Sequence, residues 1–142
     1  MIEGTVKVTV GQDYSAHVTV GAHTLIVDEP LHAGGKALGP DPYSYILSAL
    51  GACTAITVRM YANRKNWPLE KVEVTLRHDH LHTQDCDNCE DPASRLDKIT
   101  KELKLYGNLT EEQKHRLEII SSKCPIQKTL AAGIAIETVV TA

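Results

Sequence analysis

The run from Asp41 to Arg59, DPYSYILSALGACTAITVR, carries no charge between its two ends. It constrains the fold more than any other stretch. Asp41 followed by Pro42 reads as an N-cap and an N1 proline, which meet the free N–H groups and preset φ at a helix start. Leu, Ala and Ile then occur on every side, so the pattern predicts a helix to about Asn63 that is apolar all round and buried in a core. A membrane span would need about 20 strongly apolar residues. Ser44, Ser48, Gly51, Thr54 and Thr57 make this run too polar for one, and no membrane partner is expected. Near its middle stands Cys53, which shares a helical face with Ala49, Leu50, Ile56 and Thr57. A thiol so placed either packs inertly or does chemistry.

The 142 residues are expected to form one domain, 1–142, large enough to bury a core. A formal charge of −3 makes no general case for nucleic acid or an anionic membrane. Phe is absent and there is one Trp, so the core is aliphatic. No positively charged start with an apolar segment marks a secretory signal, so a cytoplasmic location is expected. There the four cysteines, Cys53, Cys86, Cys89 and Cys124, serve redox chemistry, metal binding or packing rather than a disulfide framework.

Along the chain, Thr5–Val10, Tyr14–Val20 and His23–Val27 alternate and predict an antiparallel meander. Asp28–Pro40 reads as a glycine- and proline-broken loop. After the central helix, Lys65-Asn66-Trp67-Pro68 is a stop and Val72–Arg77 a fourth strand. Arg95–Tyr106 has the composition of a helix but alternates at Leu103 and Leu105; residues 98–106 are read as a strand. Asn108–Ser122 reads as a helix, with a capping box from Thr110 to Gln113. Pro125 predicts another helix to about Gly133, with Cys124 as its N-cap. Ile134–Val140 reads as a last strand. Arg59, Arg64 and Lys65 suit a helix C-terminus, and Trp67 is expected to close the core beside it.

Cys124 at an N-cap would meet unpaired N–H groups and the positive end of the helix dipole, which lower a thiol pKa, with Lys123 and Lys128 nearby. It is equally readable as a weak cap and nothing more. The polar insert 78–93 offers another chemistry. His78, His80 and His82 share one face of an extended strand, and Cys86 and Cys89 form a C-x₂-C pair, donors that suit a zinc ion. The same residues also read as an exposed polar loop, or Cys86 and Cys89 as a redox pair.

The string GPDPYSYILSALGACTAITVRMYANRK, joined to KCPIQKTL about 70 residues on, resembles the osmotically inducible protein C and organic hydroperoxide resistance (OsmC/Ohr) family. It is nearest to a branch with the GPDPY…LGACT string and a Cys-rich insert. The resemblance implies an α+β, OsmC-like fold, with antiparallel sheets wrapped around long central helices in an intertwined homodimer. It also implies a redox pair at Cys53 and Cys124 that reduces organic hydroperoxides in oxidative-stress defence. The helix thiolate would attack the peroxide, and the second cysteine would close a disulfide. A dithiol, lipoyl-protein or thioredoxin-like, would restore the pair.

The family's peroxidases carry an N-terminal Arg that keeps the helix thiolate ionised, paired with a Glu nine or ten residues before the cysteine. Here the first arginine is Arg59, and Tyr43 and Ser44 hold the Glu positions. Lys36 or His32 is the expected source of positive charge, and Tyr43 a donor to a peroxide oxygen. Ile46 and Leu50, with Ile56, would receive the alkyl group. No cofactor is expected beyond a zinc ion at the insert. The alternative function is a non-enzymatic domain that binds a small apolar ligand or a metal ion.

Overall fold

Alternating valines dictate the first sheet. In the computed structural model, which describes residues 4–82 and 95–141, β1 (Val6–Val10), β2 (Ala16–Val20) and β3 (His23–Val27) form an antiparallel meander in the order β1-β2-β3. The register sets Val8 opposite Val18 and Val18 opposite Leu25. Because side chains alternate across a strand, Val6, Val8, Val10, Val18, Val20, Leu25 and Val27 share one face. Much of that face is open: Val6, Val8 and Val10 are all more than half exposed.

The loop after β3 is held by a buried carboxylate. Asp28 accepts N–H bonds from Glu29 (2.7 Å), Lys36 (3.3 Å) and Leu38 (3.2 Å). A short 3-10 turn at Leu31–Ala33 lies inside it, so the segment is more regular than its composition suggested.

The long helix α1 (Pro42–Lys65) runs two residues beyond the expected end. Asp41 accepts from the Ser44 hydroxyl at its start, and Tyr45 donates its hydroxyl to the Ile26 carbonyl at 2.7 Å. Its buried residues are Leu50, Gly51, Thr54, Val58 and Ala62, a stripe at helical spacing rather than a helix covered all round. Ile56 and Met60 are mostly exposed. By length and mean hydropathy, 1.3 over its most apolar window, α1 would suffice to cross a membrane, and 28% of that window is buried. Most of that window is therefore left exposed by the described residues.

Two compact units divide the chain within this helix, the first ending at Ile46 and the second beginning at Leu47. In the second, β4 (Leu69–His82) and β5 (Arg95–Gly107) pair as a long antiparallel ribbon. Both strands are longer than their clean alternation: the polar residues His78–His82 continue β4 rather than starting an irregular insert, and Arg95–Asp97 open β5. A register shift lies between Leu69 and Lys71. Arg59 caps the arrangement from α1, donating to the carbonyls of Leu69 (2.6 Å) and Glu70 (2.8 Å).

Helix α2 (Glu111–Ser121) follows the capping box in full, with Thr110 accepting from the Gln113 N–H and Gln113 accepting from the Thr110 N–H. Leu117, fully buried, joins Val58, Ala62, Leu69 and Leu109 in the core, with Trp67 and Tyr61 packed against it. Helix α3 (Pro125–Ala132) ends at Gly133. The expected strand at Ile134–Val140 is absent: these residues take no regular structure and stand exposed. An isolated strand leaves its N–H and C=O groups without a ladder, and no strand among the described residues pairs with this segment.

Candidate thiol site

Three local rules bring one cluster together. The buried stripe of α1 turns Thr54 inward, fully buried, with its hydroxyl 2.8 Å from the Leu50 carbonyl. The Cys-Pro start of α3 makes Cys124 an N-cap, and its sulfur accepts the Gln127 N–H at 3.4 Å. Gly51 lets α1 lie close on the ribbon, since a Cβ there would come within 2.7 Å of the Leu76 side chain. Leu76 is the register partner of Lys101 on β5, so this contact delivers Lys101 to the same place.

The result is a hydrogen-bonded knot. Cys124 Sγ lies 3.6 Å from Thr54 Oγ1. Lys101 Nζ donates to Thr54 Oγ1 (3.0 Å), the Ser121 carbonyl (2.9 Å) and Gln127 Oε1 (2.6 Å). Cys53 is near enough to Cys124 to help lower its thiol pKa, and both thiols are free. Cys124 is wholly buried and Cys53 partly so.

The electrostatics favour a thiolate. Burial pushes the Cys124 thiol up, but the hydrogen bonds from Thr54 and the Gln127 N–H, together with the neighbouring Cys53 and the Lys101 charge, leave it below its ordinary value. Burial holds the Lys101 ammonium below its ordinary value, and the charges of the two sulfurs, Cys124 first, offset only part of that.

Lys101 and Thr54 were not among the expected site residues. The signal was present: Ile99, Lys101, Leu103 and Leu105 follow one another on one face of β5, and Lys101 is the only charge among these four. The other expected residues lie elsewhere in the bonding. Lys36, expected as the cation, pairs with Asp13 at 3.1 Å, and the cation beside the two thiols is Lys101. His32, Tyr43 and Ile46 are exposed, and Leu50 is buried with its carbonyl taken by Thr54. A groove of about 370 Å³ is lined by Leu47, Ser48, Gly51, Ala52 and Ala55 of α1 with Val74 and Leu76 of β4.

Of the expected metal ligands, His78 and His80 lie on β4, where both bond Asp97 of β5. His82 enters as the backbone partner of Arg95. Cys86 and Cys89 lie outside the described residues.

Comparison with solved structures finds the same fold in several proteins. An OsmC-like protein from Mycoplasma pneumoniae superposes with a TM-score of 0.73 at 21% identity, covering 92% of this chain and 88% of that one. An organic hydroperoxide resistance protein OsmC from Legionella pneumophila, described as a predicted redox protein, gives 0.66 at 19% identity, covering 90% and 88%. An organic hydroperoxide resistance protein from Elizabethkingia anophelis gives 0.63 at 15%, covering 90% and 87%. At such identities the likeness establishes the fold alone. No curated protein matches the sequence. The family model for OsmC-like proteins matches residues 34–139, about three quarters of the sequence and the whole of the thiol site, so the chain belongs to the OsmC-like protein family.

Proposed function

We propose that this protein reduces organic hydroperoxides through Cys53 and Cys124. The observation that carries the reading is the Lys101 ammonium bonded to Thr54, whose hydroxyl lies 3.6 Å from Cys124 Sγ, so that its charge acts on both sulfurs. Peroxide reduction needs a thiolate, since the thiol is a poor nucleophile. Lys101 supplies, from β5, the positive charge that family peroxidases take from an N-terminal arginine.

Cys53 is the more accessible sulfur and is the one to meet the peroxide. Negative charge favoured on Cys124 passes to it when a proton moves from Cys53 to Cys124. The Cys53 thiolate attacks one peroxide oxygen. An S–O bond forms, the O–O bond breaks, and the alkoxide leaves as an alcohol after taking a proton from water. Cys124 gives its proton to the hydroxide left by that water and attacks the sulfenic sulfur as a thiolate; the S–O bond breaks, hydroxide departs, and a disulfide remains. A dithiol of the lipoyl or thioredoxin-like class returns two electrons. The groove lined by Leu47, Ala52, Ala55 and Leu76 offers apolar cover for an alkyl chain.

The working form is a homodimer in this reading. The open valine face of β1–β3, the exposed Ile56 and Met60 of α1, and the unpaired apolar segment 134–140 are surfaces for a second copy to bury.

The experiment is oxidation by one equivalent of cumene hydroperoxide, followed by mass spectrometry. Wild type should form a Cys53–Cys124 disulfide. Cys124→Ser should trap a sulfenic acid on Cys53, and Cys53→Ser should consume no peroxide. Wild-type consumption no faster than free cysteine would end the enzymatic reading. It would favour the alternative, a domain that binds a small apolar ligand in the same groove.

A further inference from the structure

We propose that His78, His80 and Asp97 form a binding site for a divalent first-row transition metal ion of the zinc type, at the outer part of the β4–β5 ribbon and independent of the thiol pair.

The sequence and register build it directly. His78 and His80 are two residues apart on one strand, so they share a face. Asp97 is the register partner of His80 across the ribbon, and His78 pairs with Ile99 one step along. Directly opposed side chains approach to about 5 Å at Cβ, within reach of one ion. Asp97 Oδ1 accordingly lies 3.2 Å from His78 Nε2 and 2.5 Å from His80 Nδ1. The imidazole rings meet edge-on with centroids 4.6 Å apart. One donor atom from each residue falls within 4.8 Å of the other two.

Those spacings suit a metal. Zinc bonds of about 2.0–2.1 Å to nitrogen and oxygen place neighbouring ligand atoms of a tetrahedron roughly 3.3 Å apart. The His78–Asp97 distance already matches such an edge. The His80–Asp97 distance is that of a hydrogen bond, and the ion would take the place of its proton while the two atoms part by less than 1 Å on the same estimate. Two imidazoles and one carboxylate are a donor set of borderline softness, suited to zinc or its first-row neighbours rather than to magnesium or calcium, which take oxygen ligands. The fourth tetrahedral place falls to water or a further side chain. The His78 side chain is 13% exposed, against 45% for His80 and 54% for Asp97. The ion would thus have one sheltered ligand and an approach from solvent. Bound there, it would tie β4 to β5.

The test is calorimetric titration of the whole, reduced protein with zinc chloride, for the wild type, Asp97→Asn, His78→Ala, His80→Ala and the Cys53→Ser/Cys124→Ser double variant. Far-ultraviolet circular dichroism checks that each is folded. Loss of an outer partner of a metal ligand already costs about 10–100-fold in affinity. Each of the three ligand variants should therefore bind at least about tenfold more weakly, while the double cysteine variant should bind one equivalent as the wild type does. Absence of saturable zinc binding by the wild type overturns the proposal. So does wild-type affinity in all three ligand variants, and so does loss of binding only in the double cysteine variant, which would put the ion on the thiols.

Discussion

Lys101 Nζ stands 3.0 Å from Thr54 Oγ1, and that same oxygen stands 3.6 Å from Cys124 Sγ. A buried hydroxyl thereby links a cation on β5 to a sulfur at the start of α3. A hydroxyl has one proton to give. With Cys124 as a thiol, Thr54 gives it to the Leu50 carbonyl, 2.8 Å away, and the S–H can donate to Thr54. With Cys124 as a thiolate, the proton can turn to the sulfur, while Lys101 continues to donate to the oxygen.

The charge of Lys101 should be readable as a thiolate titration. Followed by its ultraviolet absorbance, wild-type Cys124 should ionise below the ordinary 9.0. In Lys101→Met the midpoint should rise, because the opposite charge that favours the thiolate is gone. An unchanged midpoint would remove Lys101 from the electrostatics of the site.

The same shift fixes a pH dependence of stability. A thiol with a lowered folded-state value contributes stability that is fully present above the unfolded value, near 9.0. That contribution is lost as pH falls through the folded value. The difference in unfolding free energy between wild type and Cys124→Ala should therefore grow in favour of the wild type with rising pH across that window. Denaturant melts at several pH values would measure it.

Thr54→Val keeps the shape and deletes the hydroxyl. It should cost about 1–3 kcal/mol, since Lys101 loses a buried acceptor. It should also raise the Cys124 midpoint and slow peroxide consumption. Thr54→Ser should restore the titration. Failure of that rescue would reduce Thr54 to a packing residue.

A second copy should be required to cover α1. Sedimentation without detergent should give a dimer at micromolar concentration, and Met60→Glu or Ile136→Asp should shift it toward monomer. A stable wild-type monomer would refute the dimer. A wild type that stays in solution only with detergent or lipid would point to a membrane as the cover.

Two stability effects follow from the ribbon and its core. Leu117→Ala should cost about 2–5 kcal/mol, as for other fully buried leucines. Gly107, at φ +133°, has no room for a Cβ, which would lie 2.1 Å from the Pro68 carbonyl oxygen. Gly107→Ala should cost about 1–3 kcal/mol of strain. Urea melts of both variants check these values.

Local chemistry made much of this legible in advance. Asp41-Pro42, the Thr110–Gln113 box and Cys124-Pro125 are spelled within a few residues, and each begins a helix in the structure. Lys101 was not legible in the same way. A charge on an apolar strand face marks something unusual, but which helix it meets depends on a register set across a long connection. The segment 134–140 misled for a related reason. Alternation describes what a strand could bury, and says nothing of whether an edge is present to receive it.

The ribbon's pairing makes thiol ionisation a property of strand alignment. Side chains on a strand alternate, so a slip of one residue would exchange Lys101 for Thr100 or Glu102. A carboxylate at that place would oppose a thiolate instead of favouring it. The irregularity between Leu69 and Lys71 and the tight corner at Gly107, where Leu69 finds its partner, are what count residues into phase. They stand six positions from Lys101 along β5 and touch neither sulfur by chain position. Evolution could therefore silence or retune the thiols from the ribbon's base, without altering a single group of the thiol site.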